Sequence, residues 1–420
     1  MSAFTRERSS QLGGPAWLQR RRAEAFEKLA AFDGSGNVVP TTEPESWRYS
    51  RIDELDLDRY DLAGTDGAAG HDAVQANVPH IAGAAAVVVV RNGRLLSADV
   101  TATGVSVDAA PADEPEFLPL PEPDGLTALH AAFVPEVVVV TVAPGTYVEA
   151  PIVIVNASDS DKAATFPHVV VVAGAGSEAT VVEWATSAPT PLYVDPVTEL
   201  QVGDTANLRH VLLQDLGEAT WQTGHLLATV GRDATLKSWL LSIGGEYART
   251  YVAATLPAQG ATAKVAGVYF GDERQMHDIR SVQDHLGSRS VSDFQLKGAV
   301  VDEARGVYTG IIRVHEGAKA TESFLANRNL VLSDGAHVDS VPNLEIVNEN
   351  DIRSCGHAAA TGPVDEEHLF YLESRGIPTD VAEQLIVYGF FDEVVAQVPV
   401  AEVRDHVREA ISRKLAKVAK

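Results

Sequence analysis

Cysteine is almost missing from this sequence: Cys355 is the only one in 420 residues. One thiol excludes an intramolecular disulfide and any zinc site of several cysteines, and it suits a reducing cytosol. Basic residues are scarce as well, with 33 Lys and Arg against 58 Asp and Glu, a formal charge of −25. Nucleic acids and anionic membranes are held through a basic surface that releases counterions, so neither is expected as a partner. No apolar run approaches the ~20 residues that cross a bilayer. The opening MSAFTRERSSQLGGPAW has no apolar secretion-signal core, so a cytoplasmic protein is expected. The HExxH pattern of zinc hydrolases, the GxSxG elbow and the P-loop are absent too, so those three chemistries find no home in this chain.

What is present, 45% hydrophobic residues rich in Val, Ala and Leu, is enough for a large core. Residues 15–32 read as a helix: Pro15 suits the first turn, and Leu18, Ala25, Phe26, Leu29 and Phe32 form one apolar stripe. Two apolar runs around Asn92-Gly93 predict a hairpin with a tight primed turn. The segment from Asp61 to His80 reads as a loop, and the Pro- and acid-rich stretch Ala109 to Gly125 reads as a linker. Beyond Gly362 the pattern becomes helical. Asp365 caps one helix that ends at Arg375-Gly376, and Thr379 starts a second with Ala382, Leu385, Ile386, Phe390 and Val394 inward. A last helix carries Val403, Val407, Ile411, Leu415 and Val418.

Between these lie short β-branched runs separated by turn residues, at intervals too short for intervening helices. Gly176, Gly203, Gly231, Gly260 and Gly287 open similar four-residue motifs, at steps of 27, 28, 29 and 27 residues. A fixed period of this size points to stacked repeats, each turning where no Cβ is needed and burying its strands against the next. A β-solenoid is the expectation, with a β-sandwich as the alternative. The beat quickens later, through Glu316–Ala320 and Asp334–Val338. Three regions follow: 1–125 with helix and hairpin, 126–352 as the solenoid, and 353–420 as a helical domain preceded by the cysteine segment.

Several motifs could carry chemistry. Gly174-Ala-Gly176-Ser-Glu-Ala179 imitates a dinucleotide fingerprint, but the residues after it are strand-like and no helix end meets a phosphate. His277-Asp278 and Asp284-His285 imitate a metal site. Adjacent residues of a strand face opposite sides, so neither pair chelates well. Cys355 and His357 are different: in an extended segment they share one face, and thiolate and imidazole suit one soft metal or sulfur species. Two donors do not close a tetrahedral site, and a buried structural cysteine is the alternative. A β-helical carbohydrate-active lyase or hydrolase, pressing Asp284, Asp293 and Glu303 into service, is the rival function.

Long stretches of the chain resemble one family. PAWLQRRRAEAF, PESWRYS and DGLTALHAAF lie before the solenoid. The run from His277 to Gly376 holds HDIRSVQDHLGSRSVSDFQLKGAVVD, GVYTGIIRVHEGAKATES, NRNLVLSDGAHVDSVPNLEI, the Cys-x-His and EEHLFYLESRGI. In this order they are similar to the SufB/SufD family of iron–sulfur cluster assembly scaffolds, over nearly the whole length. The chain's length, without the longer N-terminal extension of SufB, favours the SufD side.

The resemblance implies a right-handed parallel β-helix between N- and C-terminal helical regions. It implies a non-catalytic subunit of an ATP-dependent complex, paired through its β-helix with a SufB-like sister. A SufC-like ATPase would dock on the C-terminal helices, around Glu366, Leu369, Phe370, Tyr371, Arg375 and Gly376. ATP-driven closure would then remodel the interface where a transient cluster is built from iron, electrons and sulfur brought by a donor protein. The family's interface histidine falls on His357 and its cysteine on Cys355, as iron or cluster ligands. No cofactor is expected to stay bound to the isolated chain, whose exposed solenoid ends would also allow a homodimer.

Overall fold

The computed structural model describes residues 3–36, 38–64, 81–120, 123–347 and 352–418. Most of the loop expected from Asp61 to His80 therefore lies outside the described residues. Among the described residues the chain winds between two long sheets, from strand Val197–Val202 onward with each strand in one sheet followed by one in the other, and the coil-to-coil pairings are parallel. One sheet ends on His337–Ile346 and the other on Ser354–Gly362. This is a β-solenoid, and the sandwich alternative falls. Alternation places every second residue in the lumen, where Val, Ala and Leu from both sheets form one continuous core.

The repeat seen in the sequence combines two roles. Gly176, Thr205, Asp233, Gly260 and Arg289 hold the left-handed turn positions, with φ of 68, 59, 52, 72 and 55°. That conformation aims each N–H along the solenoid axis. Gly176 donates to Asp204 O at 2.9 Å, Thr205 to Arg232 O at 2.8 Å and Asp233 to Gln259 O at 3.0 Å. Gly203, Gly231 and Gly287 stand two residues earlier in their turns. They are needed for close approach: a Cβ there would meet backbone or side-chain atoms of the previous coil at 2.8, 2.8 and 2.2 Å. Coil lengths follow from register. Asn207 pairs with Glu178, Thr235 with Asn207, Thr262 with Thr235, Val291 with Thr262, Glu322 with Val291 and Ser354 with Glu322. The steps are thus 29, 28, 27, 29, 31 and 32 residues, so the coils lengthen toward the end. The expected quickening is corrected: Glu316–Ala320 and Asp334–Val338 lie on opposite edges of the solenoid, one before each sheet's next strand.

Both outer faces are covered. Helix Ala16–Ser35 and helix Gly125–Phe133, which opens with a reciprocal Asp124–Thr127 capping box, pack on the first sheet. Gly125–Phe133 is helical although it falls where only strands were expected; Leu126, Leu129 and Phe133 are buried in it. The expected hairpin is present, Ala86–Arg91 with Arg94–Val100, and Asn92 and Gly93 take φ of 50 and 82°. Ala86–Arg91 also pairs with Ile152–Ser158, so solenoid strands begin well before residue 125, and Ser354–Gly362 extends them past residue 352. The stretch expected to be a linker is a packed strap. Trp17 donates to Pro111 O at 2.9 Å, Leu118 N donates to Glu199 at 2.6 Å, and Leu118 and Leu120 join Leu227 and Tyr251.

The second sheet is covered by helices Thr379–Val395 and Ala401–Val418. Val403, Val407, Ile411 and Leu415 are buried as the periodicity predicts; the side chain of Val418 lies outside the described ones. Helix Thr379–Val395 is rotated from the expected face: Ala382, Val387, Phe391, Val394 and Val395 are buried and Leu385 is 50% exposed. Periodicity allowed both faces, and the contact of Phe391 with Phe270 on the sheet selects one. Pro378, in extended conformation, takes the N-cap place expected of Thr379, whose hydroxyl instead donates to Glu373 at 2.6 Å.

Candidate functional site

The two terminal strands, His337–Ile346 and Ser354–Gly362, each have a paired neighbour on one side only. Among the described residues no further coil stacks on them, so this end of the lumen is open. At the opposite end the outermost strands are antiparallel, Arg94–Val100 in one sheet and Val105–Asp108 in the other.

Register decides what faces the open lumen. Ser354–Gly362 lies on Glu322–Val331, with Cys355 on Ser323 and His357 on Leu325. Ser323 and Leu325 are buried, and Leu325 belongs to the lumen core, so Cys355, His357, Ala359 and Thr361 all point into the mouth. Across from them stand Leu344 and Ile346, packed on the same core. The shared face expected for Cys355 and His357 is therefore present. Cys355 is half-buried, and burial pushes its thiol up against the opposing pull of the Gly356 N–H. His357 is exposed. Among the described residues no three His, Cys, Asp or Glu side chains are grouped to hold a metal ion. Any metal at this mouth would need further donors beyond Cys355 and His357.

The other motifs disperse. Gly174–Gly176 is a turn between strands His168–Ala173 and Glu178–Ser187, with no helix to receive a phosphate. His277 faces the lumen and bonds Ser242 at 2.9 Å, while Asp278 faces outward into Arg249 and Arg280. His285 is held by Ser290 and Ser292 at 2.7 and 2.8 Å. Asp284 bonds His315 at 2.6 Å, Asp293 accepts from Gln295 at 3.0 Å and Glu303 lies 3.9 Å from Arg274. Asp284 and Asp293 belong to different sheets, and the three carboxylates form no catalytic group.

A second surface lies just beyond the terminal strand. Helix Glu366–Ser374 is capped by the Asp365 carboxylate, which accepts from Glu367 N and His368 N at 2.8 and 3.2 Å. None of its residues is buried. Phe370 and Tyr371 are 72% and 56% exposed, and Leu385 and Val381 on the next helix are 50% and 41% exposed. Leu369 is half-buried, Arg375 lies over the Tyr371 ring at 5.1 Å, and Gly376 takes φ of 84° to end the helix. Glu366, Glu367, Glu373 and Asp380 rim this apolar patch with negative charge.

Sequence reading missed two groups. Asp278 with Arg249 and Arg280 clamps the PESWRYS segment: Arg249 donates to Ser46 O at 2.8 Å and Arg280 to Arg48 O at 2.7 Å. Asn327 and Asn329 are buried inside the last coils. Polar residues at alternate positions of an otherwise apolar strand were the available signal for both.

A model of the SufBD core domain of the iron–sulfur cluster assembly system matches residues 154–390. An iron–sulfur cluster assembly SufBD family protein of Mycobacterium tuberculosis is 37% identical over 283 residues, 66% of this chain and 70% of that protein. Iron–sulfur cluster assembly protein SufD of Bacillus subtilis is 31% identical over 294 residues, covering 69% and 67%. SufD of Escherichia coli is 25% identical over 409 residues, covering 94% and 93%.

Proposed function

Because the chain belongs to the SufBD family of iron–sulfur cluster assembly proteins, we propose that it is a non-catalytic scaffold subunit that helps build a cluster at its open solenoid end. The observation that carries this is the inward placement of Cys355 and His357 at a mouth no further coil closes. Imidazole nitrogen and thiolate sulfur are the donors that iron and iron–sulfur clusters take. Two donors hold a nascent cluster without enclosing it, which suits cargo that must leave. The raised thiol makes His357 the first donor and Cys355 the second.

The remaining donors come from a SufB-like sister scaffold that stacks on the same end. Unpaired edge strands supply the backbone groups for such an interface. A SufC-like ATPase docks on Phe370, Tyr371 and Leu385, and its apolar pocket carries basic residues to meet the acidic rim. The terminal strand runs from His357 to Gly362 and enters the docking helix at Glu366, so ATP-driven motion there reaches the mouth through a short covalent path. Sulfur arrives from a donor protein through the complex, in the cytoplasm. Among the described residues no helix is long and apolar enough to cross a membrane.

Anaerobic co-expression with the sister scaffold and the ATPase tests this. His357→Ala is expected to fold and assemble with unchanged mass, yet to lose cluster yield by about tenfold or more, the least that disturbing a metal ligand's supports costs. Unchanged yield would remove His357 from the site.

A further inference from the structure

Inside the last coils an Asn pair bonds both terminal strands at once. Asn327 and Asn329 are alternate lumen-facing residues of strand Glu322–Val331, 0% and 3% exposed. Asn329 Nδ2 donates to Asn327 Oδ1 at 2.7 Å, and Asn327 Nδ2 returns to Asn329 Oδ1 at 3.2 Å. From this pair one contact reaches each edge. Ser340, on His337–Ile346, donates to Asn327 Oδ1 at 2.6 Å. Asn329 Nδ2 donates to Thr361 Oγ1, on Ser354–Gly362, at 3.2 Å.

The pair is itself fixed from below. Tyr269, two coils earlier in the same sheet, donates its hydroxyl to Asn329 Oδ1 at 2.8 Å. Its ring crosses the coil between where Gly298 and Gly306 lack side chains; a Cβ on either would meet the ring or hydroxyl at 2.0 and 2.4 Å. Asn327 also donates to Leu296 O at 3.2 Å. A tyrosine, two asparagines, a serine and a threonine thus form one column leading to the mouth.

The terminal strand needs such a hold. Ala358, Ala359 and Ala360 occupy its middle and are exposed, so little apolar packing specifies its register there. Its start is held by Arg353 on Glu322 at 2.5 Å, a pair on an exposed surface, which contributes little. A slip of one residue would turn Cys355 and His357 out of the mouth, because strand side chains alternate faces. We propose that the Asn327–Asn329 pair is a register lock that positions the strand bearing Cys355 and His357, acting through Thr361 and Ser340. The importance of the lock to cluster building rests on the ligand assignment above; its existence does not.

Because Cys355 is the only cysteine, thiol alkylation reports on this strand alone. The full chain carrying Thr361→Val or Ser340→Ala is compared with the unaltered protein by iodoacetamide labelling and by hydrogen exchange of residues 354–362. Losing one part-buried hydrogen bond should raise labelling and exchange of this strand about twofold to tenfold, with exchange of Thr235–Ser242 unchanged. Thr361→Ser should restore the original rates, and Arg353→Met should change them less than about twofold. Rates unchanged in both Thr361→Val and Ser340→Ala would overturn the lock, as would an equal rise throughout the solenoid. Faster labelling with undiminished cluster yield in the co-expressed complex would keep the lock and overturn the ligand assignment instead.

Discussion

Replacing Asp278 with Asn should be among the costliest single changes in this protein. Asp278 is fully buried on the outer face of its strand. Its carboxylate accepts from Tyr247 Oη and Arg249 Nη1, both at 2.9 Å, and from Arg280 Nε at 2.5 Å. Burial alone would raise this carboxyl, but Arg280 and Arg249 outweigh it and hold it below its ordinary range. The two guanidiniums are buried as well, and they reach across to the carbonyls of Ser46 and Arg48, with Arg249 3.8 Å over the Trp47 ring. Asn keeps the shape, removes the only negative charge hydrogen-bonded to the pair among the described residues, and points an N–H group at donors. Breaking a buried ion pair on one side costs about 3–5 kcal/mol, and here two cations lose their partner. Against a typical stability of about 5–15 kcal/mol, that is a large fraction. Urea unfolding followed by circular dichroism should show the loss, and trypsin should cut near Arg48 and Arg51 faster than in the parent. The lowered carboxyl stabilises the fold fully above its unfolded value near ~4, and this contribution is lost as pH falls through the folded value. The gap between parent and variant should therefore be constant from about pH 5 to 8 and shrink in stronger acid. A variant within about 1 kcal/mol of the parent at neutral pH would refute the clamp as a charge-balanced unit.

Two further outcomes can be checked directly. Phe370→Ser with Tyr371→Ser removes exposed apolar area, so stability should move by less than about 0.5 kcal/mol. Binding of the ATPase subunit, measured by calorimetry, should weaken at least about thirtyfold, as loss of an aromatic anchor does, and equal affinity would exclude this helix as the dock. His277 is buried and neutral: burial, with help from Lys414, pushes it down to about 3. Below the unfolded value near ~6.5 the unfolded chain takes a proton that the fold does not, so stability falls as pH drops. His277→Asn should make the slope of stability between about pH 4 and 6 shallower by about 1.4 kcal/mol per pH unit; an unchanged slope would mean that His277 is protonated in the fold.

Local chemistry was legible in the sequence because it acts over a few residues. Asn92-Gly93 makes its hairpin turn, Asp365 caps its helix, Gly376 ends it, and Cys355 and His357 share a face, each within one turn or strand. The solenoid was legible too, since short β-branched runs at a near-constant period admit few other ways to bury themselves. The same period misled about equivalence, matching Gly176 with Gly203 although one glycine supplies a left-handed turn and the other a close approach. Helix Thr379–Val395 shows a similar limit: two apolar faces are written in it, and the sheet beneath chose Phe391 over Leu385.

Sequence alone determined that this chain coils, that helices follow, and that its single thiol shares a strand face with a histidine. Tertiary structure decided which coil neighbours which, and so that Cys355 and His357 stand at an open end with Asn329 beneath Thr361. The division has a physical cause: the alternation of a strand gives each side chain its face, but its neighbours above and below depend on coil lengths that vary from 27 to 32 residues.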